Sequence, residues 1–297
     1  MHRRRRSLLL AGAGAGLAAA LPRRPAAAQR LEALFAPRAR LWERWTAHDP
    51  RSAARVDHAP WDGFLRRHRI PFADGTARVA YAAVAPADRQ ALEGYLSVLV
   101  GTPVGTLSRA EQFAYWANLY NALTVRAVLH AWPVASIRDV NLSGGVFLRG
   151  PWDAKLLATE GEALSLNDIE HRILRPIWRD ARVHYALNCA SLGCPNLAPQ
   201  AFTAANAEAL LEAGARGYVN DPRGVTVLPE GGGLRLSSIY NWFAEDFGGE
   251  EGAVLRHLLR HAAPPLAEAI RRAPRIAGYA YDWGLNDAGG RRAVPAG

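Results

Sequence analysis

The sequence predicts an α+β fold, a single mixed domain with several helices around a small sheet. Three observations point there. Residues 108–131 read as one long helix, apolar nearly all round, with Ser108-x-x-Glu111 at its start and Pro133 just past its end. Val225-Thr226-Val227-Leu228 and Leu234-Arg235-Leu236 flank Gly231-Gly232-Gly233, the pattern of a hairpin. Strand signals are scattered among the helices rather than alternating with them, which argues against βαβ units.

The remaining elements follow in order. Residues 31–47 read as an amphipathic helix with Leu34, Leu41 and Trp45 on one stripe, and 61–65 as a short helix. A strand is expected at 78–81, and a helix at 86–100 closed by Gly101 and Pro103. Within 108–131, Asn118 and Asn121 share a face; buried amides need partners, so the pair is a structural clasp or part of a site. Ser165 caps a second helix, with Asp168 three residues on, that carries Glu170 and His171. Residues 182–187 read as a buried strand ending at Asn188-Cys189, followed by a loop marked by Gly193, Pro195 and Pro199. Helices are expected at 204–218, 237–247 and 253–272, and a last strand at 276–281.

Residues 1–28 read as a twin-arginine export signal. Arg3 to Arg6 precede Ser7-Leu8-Leu9-Leu10, a Gly- and Ala-rich apolar run follows, and Ala26-Ala27-Ala28 offers a cleavage site. The mature chain, 29–297, is then expected in the periplasm, without a membrane span. The full chain carries a net charge of +9. Without the six arginines of the signal, 30 basic residues face 27 acidic ones, about +3, which gives little support to a nucleic-acid partner.

Chemistry is concentrated in His184-Tyr185-Ala186-Leu187-Asn188-Cys189 and the turn to Cys194-Pro195. A cysteine where a buried element gives way to a tight turn is held firmly, and backbone N–H groups beyond it can stabilise an oxyanion. A histidine partner would raise its thiolate fraction at neutral pH. On a strand, the odd offset puts His184 and Cys189 on opposite faces, so His171 is the preferred partner. A buried inert thiol and a Cys189–Cys194 disulfide are the alternatives. The spacing does not suit zinc, and no cofactor is expected. His257 and His261 lack the glutamate of a zinc-peptidase motif and are expected at the surface.

Four segments carry a family resemblance. They are Tyr115-Trp116-Ala117-Asn118-Leu119-Tyr120-Asn121-Ala122-Leu123-Thr124, Leu164-Ser165-Leu166-Asn167-Asp168-Ile169-Glu170-His171, the run from His184 to Cys189 with Cys194-Pro195, and Tyr281-Asp282-Trp283-Gly284-Leu285-Asn286. In order and spacing they resemble domain-of-unknown-function family 547, across a core of about residues 100–286. The resemblance implies an exported bacterial protein of a family that plants also carry, fused there to coiled-coil segments. Plant relatives keep the Ile-Glu-His and the first cysteine but often have serine at the second. This marks Cys189 as the nucleophile and Cys194 as accessory. The retained pair suggests a papain- or transglutaminase-like site, permuted here because His precedes Cys.

The expected function is a periplasmic cysteine-dependent hydrolase or acyltransferase acting on an amide or peptide-like bond in a peptide-like or protein substrate. Cys189 attacks, His171 moves the proton, Glu170 or Asn118 orients the imidazole, and Asn121 with backbone N–H groups holds the oxyanion; His184 and Cys194 complete the substrate side. The alternative is a peptide- or protein-binding module with a structural Cys189–Cys194 disulfide.

Overall fold

The computed structural model describes residues 36–142 and 150–289. The expected export signal, and the start of the helix expected at 31–47, lie outside the described residues. Helices α1 (Ala59–His68), α2 (Pro86–Val100) and α3 (Arg109–Ala131) build one side of the molecule. Ser108 caps α3 as its spacing requires, its Oγ accepting from the Glu111 N–H at 3.3 Å. The Glu111 carboxylate does not turn back to Ser108. It accepts from the Val56 N–H at 2.8 Å, so the start of the helix also holds the incoming chain. Phe113, Trp116, Leu119, Leu123 and Val128 are all buried, each contributing about 1.5–3 kcal/mol.

The described strands form three small sheets rather than one. Strands β1 (Arg69–Pro71) and β2 (Ala77–Val79) pair antiparallel, as do β3 (Leu157–Thr159) and β4 (Glu162–Leu164). Strands β5 (Val225–Val227) and β6 (Leu234–Ser237) form the expected hairpin, and β7 (Ile276–Ala280) adds parallel to β6. The class is α+β. No helix among the described residues is long and apolar enough to cross a membrane.

Several expectations are corrected. Within 36–47 there is only the 3-10 turn Glu43–Trp45, because the chain bonds elsewhere: the Arg40 and Trp42 N–H groups donate to the His171 and Arg172 carbonyls, both at 2.9 Å. Those carbonyls are free to accept because Asp168–Leu174 is wound as a π-helix, where Arg175 N–H reaches back to the Glu170 carbonyl. The next bond in that pattern would come from Pro176, which has no N–H. The 182–187 strand is in fact a helical turn, Val183–Ala186, started by Asp180, whose Oδ1 accepts from Arg182 N–H at 2.8 Å. A short run buried on all sides reads alike in either conformation. The helix expected at 237–247 breaks into Ile239–Trp242 and a 3-10 turn, Ala244–Phe247. Pro264 and Pro265 divide 253–272 into Glu251–His261 and Pro264–Arg272. His257 is buried, with Nε2 2.7 Å from the Tyr185 hydroxyl, so it is not a surface residue.

Candidate active site

Two hydrophobic clusters adjoin at the helical turn Val183–Ala186. Val183, Ala186 and Leu187 pack into the larger, which is built on α3, while Tyr185 packs into the smaller, with Tyr218, Tyr240 and Phe247. The turn therefore delivers His184 and, after Leu187 extends the chain, Cys189 to the seam between them.

The loop from Asn188 to Pro195 is held from both sides. Asn121 of α3 takes the N–H of Asn188 at 2.9 Å and gives its own Nδ2 to the Ala186 carbonyl at 2.9 Å. Asn188 donates to the Pro195 carbonyl at 2.7 Å, and its Oδ1 accepts from Ala190 N–H at 2.9 Å and Asn286 Nδ2 at 3.1 Å. On the far side the closing segment zips to the loop: Leu192 N–H to Gly284 O at 2.7 Å, Gly193 N–H to Asp282 O at 2.8 Å, and Asn286 N–H to Ala190 O at 3.1 Å. Gly193 is required there, since a Cβ would lie 2.7 Å from the Asp282 nitrogen. Ala190 takes the left-handed conformation, φ 59°, which turns the chain directly after Cys189.

The closing segment brings Tyr281 over the thiols. Cys189 Sγ lies 2.9 Å from Cys194 Sγ, 3.0 Å from the Tyr281 hydroxyl and 3.2 Å from Ser191 Oγ. Ser191 and Tyr281 are themselves 2.8 Å apart, and Cys189 N–H donates to Cys194 Sγ at 2.9 Å. Cys189 is half-buried, Cys194 buried, and no disulfide joins them in this structure. The hydrogen bond from the Cys194 thiol lowers the Cys189 pKa, helped by Ser191 and Tyr281 and opposed by burial and the charge of Glu170. Burial, and then Cys189 itself, push Cys194 well up. Cys189 is thus the more readily ionised sulfur of the pair, and the Cys194 thiol donates to it.

His171, Glu170 and His184 belong to a neighbouring charged cluster. Arg175, 1% exposed, donates from Nε to Asp246 at 2.6 Å, and from its terminal nitrogens to Glu245 at 2.8 Å, the Pro37 carbonyl at 2.8 Å and His171 Nδ1 at 2.9 Å. His184 Nε2 sits 2.6 Å from Asp246, its Nδ1 3.7 Å from Glu170, and its ring stacks on Phe243 at 4.5 Å. Burial holds the His171 imidazole down to about 4, against the pull of Glu170 and with Arg175 and His184 adding to it. Burial also opposes a charge on His184, but its bond to Asp246 and the nearby Glu170 carboxylate outweigh that and raise it. Burial disfavours the Glu170 carboxylate, but His171, protonated only in the acid range where this carboxyl titrates, together with His184 and Arg175 overcomes it and holds the carboxyl at about 2.

Among the described residues no hydrogen bond joins His171 to Cys189, whose sulfur is met instead by Cys194, Tyr281 and Ser191. His171 has its Nδ1 accepting from a guanidinium and stays neutral, so it cannot stabilise a thiolate as an imidazolium. Glu170 Oε1 is 4.0 Å from His171 Nδ1, outside hydrogen-bond reach, and lies closer to His184. Asn118 orients no imidazole: its Nδ2 donates to the Phe202 carbonyl at 2.8 Å and its Oδ1 accepts from Phe202 N–H at 3.0 Å. Asn121 is likewise a clasp rather than an oxyanion donor. The backbone N–H groups of Ala190, Leu192, Gly193 and Cys194 are all occupied, which leaves the Ser191 N–H as the loop donor that takes no part in these bonds. His184 is buried between two carboxylates and Cys194 lies behind Cys189, so neither lines a substrate surface. Sequence reasoning missed Ser191, Tyr281, Arg175 and Asp246. Tyr281 stood in a quoted motif and could have been found; Asp246 had no local signal.

Because Asn121 joins α3 to the backbone just ahead of Cys189, its replacement by leucine leaves a buried N–H and a buried carbonyl unpaired. We expect a loss of about 1–3 kcal/mol for each group left unpaired, measured by urea unfolding. An unchanged midpoint would mean that the clasp carries no load.

Among the described residues no group of three or more His, Cys, Asp and Glu side chains is placed to hold a metal ion. No curated protein and no solved structure matches the chain, so the expected permuted papain- or transglutaminase-like arrangement gains no support there. Residues 104–219, which span α3, the π-helix, His184 and both cysteines, match the family described as "Protein of unknown function, DUF547", the family that the sequence motifs resemble.

Proposed function

We propose that the protein is a cysteine-dependent hydrolase or acyltransferase for an amide or peptide-like bond, with Cys189 as nucleophile. The observation that carries this reading is the convergence of three protic groups, from Cys194, Tyr281 and Ser191, on one half-buried sulfur within 3.2 Å. Donors aimed at a thiolate stabilise it and lower its pKa, which is how a cysteine becomes a nucleophile near neutral pH. In the reaction, the Cys189 sulfur bonds to the carbonyl carbon and the carbonyl π pair moves to oxygen. The Ser191 and Tyr281 hydroxyls are the donors for that oxyanion, in place of the occupied backbone N–H groups. When the oxyanion pair returns, the C–N bond breaks and the amine leaves with the proton of the Cys194 thiol; water or an acceptor nucleophile then attacks the thioester, gives its proton to Cys194 and releases the Cys189 thiolate. The Glu170–His184–Asp246–Arg175 cluster holds the turn that delivers Cys189, and Glu170 sets a negative field beside the sulfur. The expected export of residues 29–297 is part of the same reading and puts a periplasmic peptide-like substrate within reach.

The test is alkylation of the reduced protein by iodoacetamide at pH 6, followed by mass spectrometry. A thiol with the free pKa of about 8.5 is almost wholly protonated there and reacts slowly. Cys189 should be modified selectively and fast, and Tyr281→Phe should slow it about tenfold, the loss of one hydrogen bond to a charged group. His171→Ala should leave the rate unchanged once circular dichroism has established that the variant is folded. Modification of Cys189 at the rate of an ordinary thiol would remove the proposal.

A further inference from the structure

The two sulfurs are close enough to react with each other as well as to share a proton. We propose that Cys189 and Cys194 form an oxidisable dithiol, which a hydroperoxide closes to an intramolecular disulfide and a small dithiol reopens, so that the nucleophile is withdrawn reversibly. The proposal rests on Cys189 being the reactive sulfur of the site, but not on the bond that it attacks.

The fold assigns the two cysteines different parts. Cys189 is half-buried and reachable, while Cys194 is 5% exposed and shielded from direct oxidation. The loop that carries both is fixed by Asn188 on one side and by the closing segment on the other, so the 2.9 Å approach is set by the fold rather than by chance encounter. The Ser191 and Tyr281 hydroxyls reach Cys189 Sγ and can donate to an oxygen bound on it.

The chemistry balances. The Cys189 thiolate attacks one peroxide oxygen; the S–O bond forms, the O–O bond breaks, and the departing alkoxide takes a proton and leaves as an alcohol. The Cys194 thiol then loses its proton and its sulfur attacks Cys189. The S–O bond breaks, and hydroxide leaves as water. The sulfur pair is oxidised by two electrons and the peroxide reduced by two. A reducing dithiol reverses the closure by thiolate attack on the disulfide. Without Cys194, the sulfenic acid at Cys189 would persist and oxidise further.

The experiment treats the reduced full chain with one equivalent of hydrogen peroxide and follows intact mass and free thiols. The expected result is a mass lower by two hydrogens, loss of both thiols, and full recovery with dithiothreitol. Cys194→Ser should instead gain one oxygen, trapped by dimedone, and with excess peroxide a second that dithiothreitol does not remove. Cys189→Ser should stay unmodified, its remaining thiol buried. Oxygen gain in the parent protein without disulfide, or retention of both thiols, overturns the dithiol. If Cys189 is then still alkylated fast at pH 6, the acyl-transfer reading survives alone. If the disulfide closes while alkylation proceeds at an ordinary rate, the dithiol stands and the acyl-transfer reading falls.

Discussion

Methionine in place of Arg175 will cost the fold about 3–5 kcal/mol, the range for breaking one partner out of a buried ion cluster. The side chain is 1% exposed and serves four acceptors at once: Asp246, Glu245, the Pro37 carbonyl and His171 Nδ1. Methionine fills comparable volume against Phe243 but satisfies none of them, and Asp246 keeps only His184. Glu245 is half-exposed and turns to water, so the cost comes from Asp246, Pro37 and His171. Urea unfolding reads the loss, and a shift below about 1 kcal/mol would mean that the cluster is idle. A second readout separates packing from charge. Arg175 helps to keep His171 neutral, so the His171 titration, followed by NMR, should move upward in the variant.

Stability should also fall steeply as pH drops from 6.5 towards 4. His58 is buried with Nδ1 2.7 Å from the Tyr95 hydroxyl and no partner for Nε2. Burial holds its pKa at about 4, against the charge of Asp57. Burial likewise holds His257 at about 4, with His261 and Arg260 adding to it. In the unfolded chain both imidazoles take a proton near 6.5, so between 6.5 and 4 the unfolded state binds more protons and falling pH favours it. Each histidine is worth up to about 3 kcal/mol over that window. Below about 4.5 the carboxyls add to the loss. Asp168, Glu170 and Asp246 are held at about 2, burial opposing and Lys155, Arg172, Arg175 and His184 among the groups prevailing, so their contribution disappears as pH falls through that value. His184 acts in the other sense: its raised pKa stabilises the fold fully below 6.5, and that part is lost as pH climbs through its folded value. Thermal unfolding across pH checks the profile, and His58→Gln should flatten the limb between 6.5 and 4. A flat profile there would show that these rings, and His171 with them, take protons in the folded state.

The sequence by itself determined whatever depends on neighbours in the chain. Ser108-x-x-Glu111 and Pro133 bounded α3, Ser165 and Asp168 capped each other, Gly231 to Gly233 placed the hairpin, and the apolar circumference of α3 announced its burial. Cys189 was legible as the candidate nucleophile because it follows a buried run and precedes a turn. Only the tertiary structure decided its partners. Whether 182–187 is strand or helix is undetermined when every side chain is buried, and that single choice sets where His184 points relative to Cys189. The π-helix is equally silent in sequence, since the carbonyls it leaves open are taken by Arg40 and Trp42, which lie far from it in the chain. Of the groups that meet the sulfur, Cys194 and Ser191 come from its own loop but Tyr281 comes from the closing segment, and those that charge His184 are Asp246 and Glu170. Such contacts are made by packing across the seam of two clusters, and no periodicity or spacing records them.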